Sequence, residues 1–231
     1  MRIINPQVQL AIESGAGLRL NLGSGLRPRP GFFGLDHVAL PTTDIVADLN
    51  EPLSGLPDHC VSEIYTRHTL EHIRDLLPLM GELHRVCQPD ARIEIIVPHF
   101  SNPFFYSDPT HVRPFGLYTF YYFADEADQP RRKVPTFYVP HRFQIDSVSI
   151  ELMRRGRVRG PASFALEWWI NRGIQQLDWY ERSACWMFPA ESVEYVLRPK
   201  KAAPLLPRAE SPGSPHKIEI PEEIDIVGFA A

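Results

Sequence analysis

Four groups of residues in this chain have types and spacings that suit chemistry. Gly23-Ser24-Gly25 follows an alternating apolar stretch, where a glycine pair lets the backbone approach a ligand and aim its amides at it. Asp36 closes a second apolar run, His37 follows it, and Asp48 closes a third. A carboxylate at the end of the second strand can accept both hydroxyls of a ribose. His68-Thr69-Leu70-Glu71-His72 sets two imidazoles around a carboxylate. Asp108-Pro109-Thr110-His111 can set a carboxylate against an imidazole, and an oriented imidazole is a general base. The same four residues also read as a proline turn in which Asp108 accepts backbone amides. His99 is a second candidate base.

These groups need elements to hold them. Leu18-Arg19-Leu20-Asn21-Leu22 alternates and ends in the glycine turn, which predicts a strand. Phe32 to Asp36, Asp44 to Asp48, Val61 to Thr66 and Arg92 to Val97 read as four more. Leu70, Ile73, Leu76, Leu77, Met80, Leu83 and Val86 recur at helical spacing, interrupted by Pro78. Such alternation predicts an α/β fold with a mostly parallel sheet, in which ligands sit at the carboxyl ends of the strands. The glycine turn, Asp36, Asp48, Arg67-His68 and His99 all fall at ends of that kind. Residues 98–142 are rich in Phe, Tyr, Pro and His without a clear period, which suggests a long functional loop or lid. Phe143 to Arg155 reads as a helix, Phe164 to Trp169 as a strand or the start of a buried helix, and Ser192 to Leu197 as a last strand. Trp168, Trp169, Trp179 and Trp186 suit a core or a partner surface better than a site.

The glycine turn and Asp36 together suggest a nucleotide, and the residues between them narrow the choice. The dinucleotide fingerprint sets its acidic residue about 20 residues on, behind a helix whose N-terminus holds the pyrophosphate. Here Leu26-Arg27-Pro28-Arg29-Pro30-Gly31 cannot form that helix. A cofactor without phosphates depends on it less. His68-x-x-Glu71-His72 also fits the inverted zinc-peptidase pattern, but that pattern needs both histidines on one helix. A strand ending just before His68 spoils this geometry, and His72 reads better as a satisfied helix residue.

Taken in order, Leu20-Asn21-Leu22-Gly23-Ser24-Gly25, Gly34-Leu35-Asp36, Asp44-Ile45-Val46-Ala47-Asp48-Leu49, His68-Thr69-Leu70-Glu71-His72 and Leu83-His84-Arg85-Val86-Cys87-Gln88-Pro89 resemble the class I S-adenosylmethionine-dependent methyltransferases. The resemblance is in particular to a bacterial subgroup found with polysaccharide and small-molecule tailoring genes. The likeness spans about residues 18–100, with a weaker echo at Tyr195 to Lys200. It implies a Rossmann-like, mostly parallel seven-stranded sheet with helices on both faces, an aromatic lid at about 98–142, and S-adenosylmethionine as cofactor. Carried over by position, Asn21, Gly23, Ser24, Gly25, Asp36, His37, Asp48, Leu49, Arg67 and His68 would bind that cofactor. Gly23 and Gly25 would face its methionine part, Asp36 its ribose, and Asp48 its adenine amino group with Leu49 beside the ring. Methyl transfer to an oxygen or nitrogen of a small molecule or sugar would follow. His111 or His99 would serve as base, Asp108 would orient it, and no metal is required. Among the lid aromatics, Tyr106, Phe115 and Tyr118 would bind the acceptor. Two positions depart from the family: Asn21 stands where an Asp or Glu is common, and Pro89-Asp90-Ala91 replaces the usual Pro-Gly-Gly. A non-catalytic member with the same fold, and the zinc hydrolase, are the rival readings.

Composition limits the remaining classes. The chain has 231 residues, 44% apolar, enough for a real core. With 24 basic against 28 acidic residues it lacks the basic surplus of a protein that grips nucleic acid by its phosphates. The runs Arg131-Arg132-Lys133 and Arg154 to Arg159 read as solvated faces. The three cysteines are far apart, which suggests free thiols in a reducing compartment. No secretory signal or membrane-spanning run is apparent, so the expectation is a cytoplasmic protein. Residues 1–200 are expected to form one domain. The prolines at 199, 204, 207, 212, 215 and 221 suggest a Pro-rich extension over 201–231. That tail and the tryptophan-rich segment are candidates for a homodimer surface.

Overall fold

The computed structural model describes residues 1–153 and 161–201, with the side chains of 161 and 162 left aside. Strand β1 (Arg2–Ile3) leads into helix α1 (Pro6–Ser14), then β2 (Leu18–Leu22), β3 (Phe33–Asp36), β4 (Ile45–Val46) and β5 (Val61–Arg67). Helix α2 (Leu76–Val86) and β6 (Cys87–Pro98) follow. After the insertion come β7 (Arg142–Leu152), α3 (Pro161–Ile170), α4 (Ile174–Ser183) and β8 (Ala190–Lys200). The sheet order is β1-β4-β3-β2-β5-β6-β8-β7. Strands β4, β3, β2, β5 and β6 run parallel, β8 runs antiparallel to β6 and β7, and β1 pairs antiparallel with β4. This is the expected Rossmann-like, mostly parallel sheet, enlarged from seven strands to eight by the two-residue β1.

The order fixes where a ligand fits. The chain builds outward from β2 through β3 to β4, then returns to lay β5 on the other side of β2. The carboxyl ends of β2 and β5 therefore flank a topological switch point, where loops diverge and leave a crevice. At the centre Leu20 and Leu22 point one way and Asn21 the other, and all three are buried, so the sheet is covered on both faces. No helix lies between β2 and β3, as the prolines at 28 and 30 require, and none lies between β3 and β4.

Three elements differ from expectation. The helical stripe after β5 is divided: Leu70–His72 is one 3-10 turn, Ile73 is extended, and α2 starts at Leu76. Pro78 does not interrupt α2 but sits in its first turn, where the missing N–H has no partner to lose. Leu76, Leu79, Met80, Leu83 and Val86 form the buried face. The strand expected from Arg92 begins at Cys87, so that Pro89-Asp90-Ala91 lies within β6 as a bulge between the pairs Val61–Cys87 and Glu63–Arg92. The helix expected over Phe143 to Arg155 does not form in its described part, residues 143–153. Residues 142–152 pair with β8 from Arg142–Lys200 to Leu152–Ala190, a long-range ladder that overrides the local helical pattern. Arg154 to Arg159 and the Pro-rich extension beyond Lys201 lie outside the described residues.

The insertion is packed rather than loose. Phe105, Phe115, Leu117, Tyr118, Phe120, Tyr121, Phe123 and Val134 are all buried, with three short 3-10 turns among them. In the run Arg131-Arg132-Lys133, the ammonium of Lys133 donates to the carbonyls of Glu126 and Gln129, and Arg132 lies over the Tyr118 ring. Cys60, Cys87 and Cys185 are free thiols. Among the described residues, no helix is long and apolar enough to cross a membrane.

Candidate cofactor and acceptor site

A cleft of about 880 Å³ opens at the carboxyl edge of the parallel strands, within the size range of small-molecule sites. Gly23 follows β2, Asp36 ends β3 and His37 follows it, Ala47 to Glu51 lie beyond β4, and His68 and Thr69 follow β5. His72, Ile73 and Arg74 continue the wall, and Pro109, Thr110 and Val112 of the insertion complete it.

The glycine turn is held by backbone geometry that only some residues adopt. Gly23 has φ 64°, in the left-handed region. A Cβ there would collide with the Thr69 side chain, whose hydroxyl donates to the Leu22 carbonyl at 3.2 Å. Gly25 donates its N–H to Asp36 Oδ2 at 2.9 Å, and Val38 donates to Oδ1 at 3.1 Å. Asp36 thus clips the turn to the end of β3 while retaining lone pairs toward the cleft. The ring of His37, largely in solvent, stands 3.2 Å from Asp36 Oδ1. Asp48 Oδ1 accepts the amide and the side-chain N–H of Asn50 at 2.8 and 2.9 Å. The Asn50 backbone amide, and next its side chain, hold the Asp48 carboxyl below the usual carboxylate range. Asn21 and Ser24 are buried behind the turn and Gly25 stands beside it; none of the three lines the cleft. Asn21 Nδ2 donates to the Arg27 carbonyl at 3.3 Å and braces the helix-free connection.

His68 has φ 53°, unusual for a residue with a side chain and a strained position at the mouth of a site. Arg67 is exposed and does not line the cleft. Because β5 ends at Arg67, His68 and His72 do not share a regular helix turn. What gathers near His72 is the insertion. Val112 donates its N–H to the Glu71 carbonyl at 2.8 Å, which brings His111 beside Glu71 and His72. The His72 and His111 rings lie edge to face at 4.8 Å. His111 Nε2 is 3.6 Å from Asp108 Oδ2 and 4.0 Å from Glu71 Oε1. Asp108 fulfils both readings: Oδ2 faces the imidazole, and Oδ1 accepts the Thr110 amide at 2.8 Å and its hydroxyl at 2.5 Å. The Thr110 hydroxyl, and next its amide, keep the Asp108 carboxyl below its ordinary range.

The other lid residues go elsewhere. His99 is fully buried. Its Nδ1 lies 2.8 Å from Ser101 Oγ and accepts the Ser101 amide at 3.1 Å, and its Nε2 is 3.0 Å from Glu181 Oε1. Phe115 stacks on Phe120 in the core. Tyr106 is exposed and donates its hydroxyl to the Phe100 carbonyl. Tyr118 donates to Asp178 Oδ1 at 2.8 Å and borders a separate hollow with Arg131 and Trp179. Burial, and next this bond, push the Tyr118 hydroxyl pKa upward. Sequence reading did not assign Asn50, Glu51, Thr69, Arg74, Thr110 and Val112 to the lining. Of these, only Thr69 and Thr110 lay within motifs it singled out.

No protein-family model matches the chain, and no curated protein matches it. Among solved structures the chain is similar to an S-adenosylmethionine-dependent methyltransferase from Archaeoglobus fulgidus, at 19% identity and TM-score 0.48 over 84% of this chain and 91% of that one. It is similar to the YcgJ protein from Bacillus subtilis at 14% identity and TM-score 0.45, over 86% and 99% of the two chains. An S-adenosylmethionine-dependent methyltransferase from Mesorhizobium loti gives 14% and 0.38, over 84% and 96%.

Proposed function

We propose that this chain binds S-adenosylmethionine in the cleft and transfers its methyl group to an oxygen or nitrogen of a small molecule or sugar. The observation that carries the reading is the convergence of Gly23, Asp36, Asp48 and Leu49 on one cleft at the switch point between β2 and β5. The lining suits a nucleoside without phosphates: carboxylates of Asp36, Asp48 and Glu51 face it, and no helix N-terminus follows the glycine turn.

When bound, the cofactor supplies an electrophilic methyl on a sulfonium sulfur. Gly23 leaves room for the methionine part, Asp36 accepts the ribose hydroxyls, Asp48 accepts the adenine amino group, and Leu49 covers the ring. His37 and His68 border this half. The acceptor enters beside His72, Pro109, Thr110 and Val112. The chain's tasks there are alignment and exclusion of water. His111, held by the Asp108 turn, activates an acceptor hydroxyl. Buried and half-buried free thiols agree with work in a reducing cytoplasm.

Isothermal titration of S-adenosylmethionine and S-adenosylhomocysteine into the protein tests the reading. Saturable binding with a dissociation constant on the order of micromolar, weakened at least about tenfold in Asp36→Ala by loss of the ribose bonds, is the expected result. Folded protein that takes up neither compound overturns it.

A further inference from the structure

Glu71 is fully buried, and neither carboxylate oxygen has a hydrogen-bond partner among the described residues. A buried carboxylate left this way is costly, and native structures rarely tolerate one without a cation or donor nearby. The nearest ionisable groups are imidazoles, His68 Nδ1 at 3.6 Å and His111 Nε2 at 4.0 Å from Oε1, both too far for a hydrogen bond. One ligand atom from each of Glu71, His72 and His111 lies within 4.8 Å of the others.

We propose that Glu71, His72 and His111 bind one divalent transition-metal ion of the zinc class at the wall of the cleft. The hydrogen bonds around the two rings set them up for it. His111 Nδ1 is 2.9 Å from the Phe105 carbonyl, which can only accept, so Nδ1 carries the hydrogen and Nε2 keeps its lone pair. Thr110 gives its only hydroxyl hydrogen to Asp108 Oδ1, so its oxygen accepts from His72 Nδ1 at 2.9 Å. His72 Nε2 is then also a free lone pair. An imidazole that donates through one nitrogen to a carbonyl or a carboxylate-bound hydroxyl, and offers the other, is the usual support of a metal ligand. Two imidazoles and one carboxylate favour zinc-class ions over calcium or magnesium, which prefer all-oxygen sites. Bonds of about 2.0–2.1 Å in a tetrahedron place ligand atoms about 3.4 Å apart, so the three groups draw in by roughly an ångström on binding.

This reassigns the His68-x-x-Glu71-His72 pattern. Glu71 is a ligand rather than a base, and His111 takes the place of His68. It also departs from the metal-free scheme. Three protein ligands leave a position for water or substrate, and His72 gives the site a face on the cleft. In the methyl-transfer reading, on which this role alone rests, the ion would supply a Lewis acid for the acceptor hydroxyl, and His111, with Nδ1 bonded to the Phe105 carbonyl and Nε2 on the ion, would hold the ion rather than take the proton.

The test is metal titration of the untagged full chain after removal of metals with a chelator. Zinc is followed by competition with a chromophoric chelator and cobalt by its visible absorption. The expected result is one tight equivalent of each and intense tetrahedral-type cobalt bands. His72→Ala, His111→Ala and Glu71→Gln each weaken binding at least about 100-fold, beyond what loss of an outer-shell partner gives, while His141→Ala leaves it unchanged. His72 is only half buried, so His72→Ala keeps the test usable where Glu71→Gln disturbs folding. Folded protein that binds no equivalent, or binds one with unchanged affinity in His72→Ala and His111→Ala, overturns the proposal. Titration of S-adenosylmethionine into the metal-free protein is a separate reading, so failure of the metal site and failure of the cofactor site are told apart.

Discussion

The two walls of the cleft are held in different ways. Residues 20–50 place their ligand-facing groups through short loops. Gly25 bonds Asp36 across 11 residues, Gly34 bonds Asp44 across 10, and Asn50 bonds Asp48 across two. Residues 98–142, which carry Pro109, Thr110 and Val112 of the other wall, are anchored as a block by side chains that reach far along the chain. His99 meets Glu181 across 82 residues, Asn102 meets the Glu191 carbonyl across 89, and the Tyr195 hydroxyl meets the Gly116 carbonyl across 79. The first wall depends on backbone conformation and turn residues. The second depends on burying polar groups with the correct partners, where one missing partner leaves another group unsatisfied.

The largest effect should therefore come from the second wall without any change at the first. His99→Ala removes one donor to the Glu181 carboxylate, leaving the Leu117 amide, takes the acceptor from the Ser101 amide and opens a cavity. A loss of about 3–5 kcal/mol in stability is expected, the range for breaking a buried pair. Urea unfolding measures it, and cofactor affinity measured well below the transition should stay near that of the parent. A variant of parental stability that has lost methyl transfer would instead put His99 in the chemistry.

Gly23→Ala probes the first wall. The left-handed backbone alone costs about 1–3 kcal/mol for a residue with a side chain, and the new methyl collides with Thr69. Both stability and cofactor affinity should fall. Adding Thr69→Ala should recover the part due to the Thr69 hydroxyl and methyl, while the remaining Cβ, still 2.8 Å away, and the positive φ keep the rest. Full recovery would mean the backbone conformation carries little of the cost.

The same contrast explains what the sequence made legible. Gly23, Asp36 and Asp48 could be read because each stands at the end of its own strand, and strand, turn and carboxylate are neighbours in sequence. The cluster of Glu71, His72 and His111 could not be read. Local spacing pairs His68 with His72, whereas the fold closes a loop that bonds Thr110 to His72 across 38 residues. Phe115 and Tyr118 looked like acceptor-binding aromatics because residues 98–142 lack a period. Their placement comes from the Phe120–Tyr195 contact and the Tyr118–Asp178 bond, which join the insertion to β8 and α4. The helical pattern of 143–155 gave way to β8 for the same reason: the ladder partner lies about 50 residues on.

Asn21→Asp sharpens the comparison at a smaller scale. It restores the acid common at this position in the family that the sequence resembles. In this chain Asn21 is a buried donor to the Arg27 carbonyl, and a carboxylate would face that carbonyl with no hydrogen to give. A loss of about 1–2 kcal/mol is expected from the unmet pair, with no gain in cofactor affinity. Higher affinity would mean that Asn21 weakens the site and that the brace is dispensable.

The smallest effect lies away from both walls, at the junction of α2 with β7 and β8. The His84 ring packs against His141 and Phe143, and its Nε2 is 3.2 Å from the Lys200 carbonyl. Burial holds the His84 pKa below the ordinary histidine value, opposed in part by that carbonyl. The unfolded chain then takes up a proton before the folded one as pH falls. The contribution of His84 to stability is present above the unfolded value of about 6.5 and is lost progressively as pH drops through the lower folded value. Thermal unfolding from pH 8 to pH 5 should therefore show a steeper fall in midpoint for the parent than for His84→Gln, which has no proton to gain. Because the ring is only half buried, the difference should be a fraction of a kcal/mol. Parallel profiles would mean that the ring accepts its proton in place, with the Lys200 carbonyl compensating for burial.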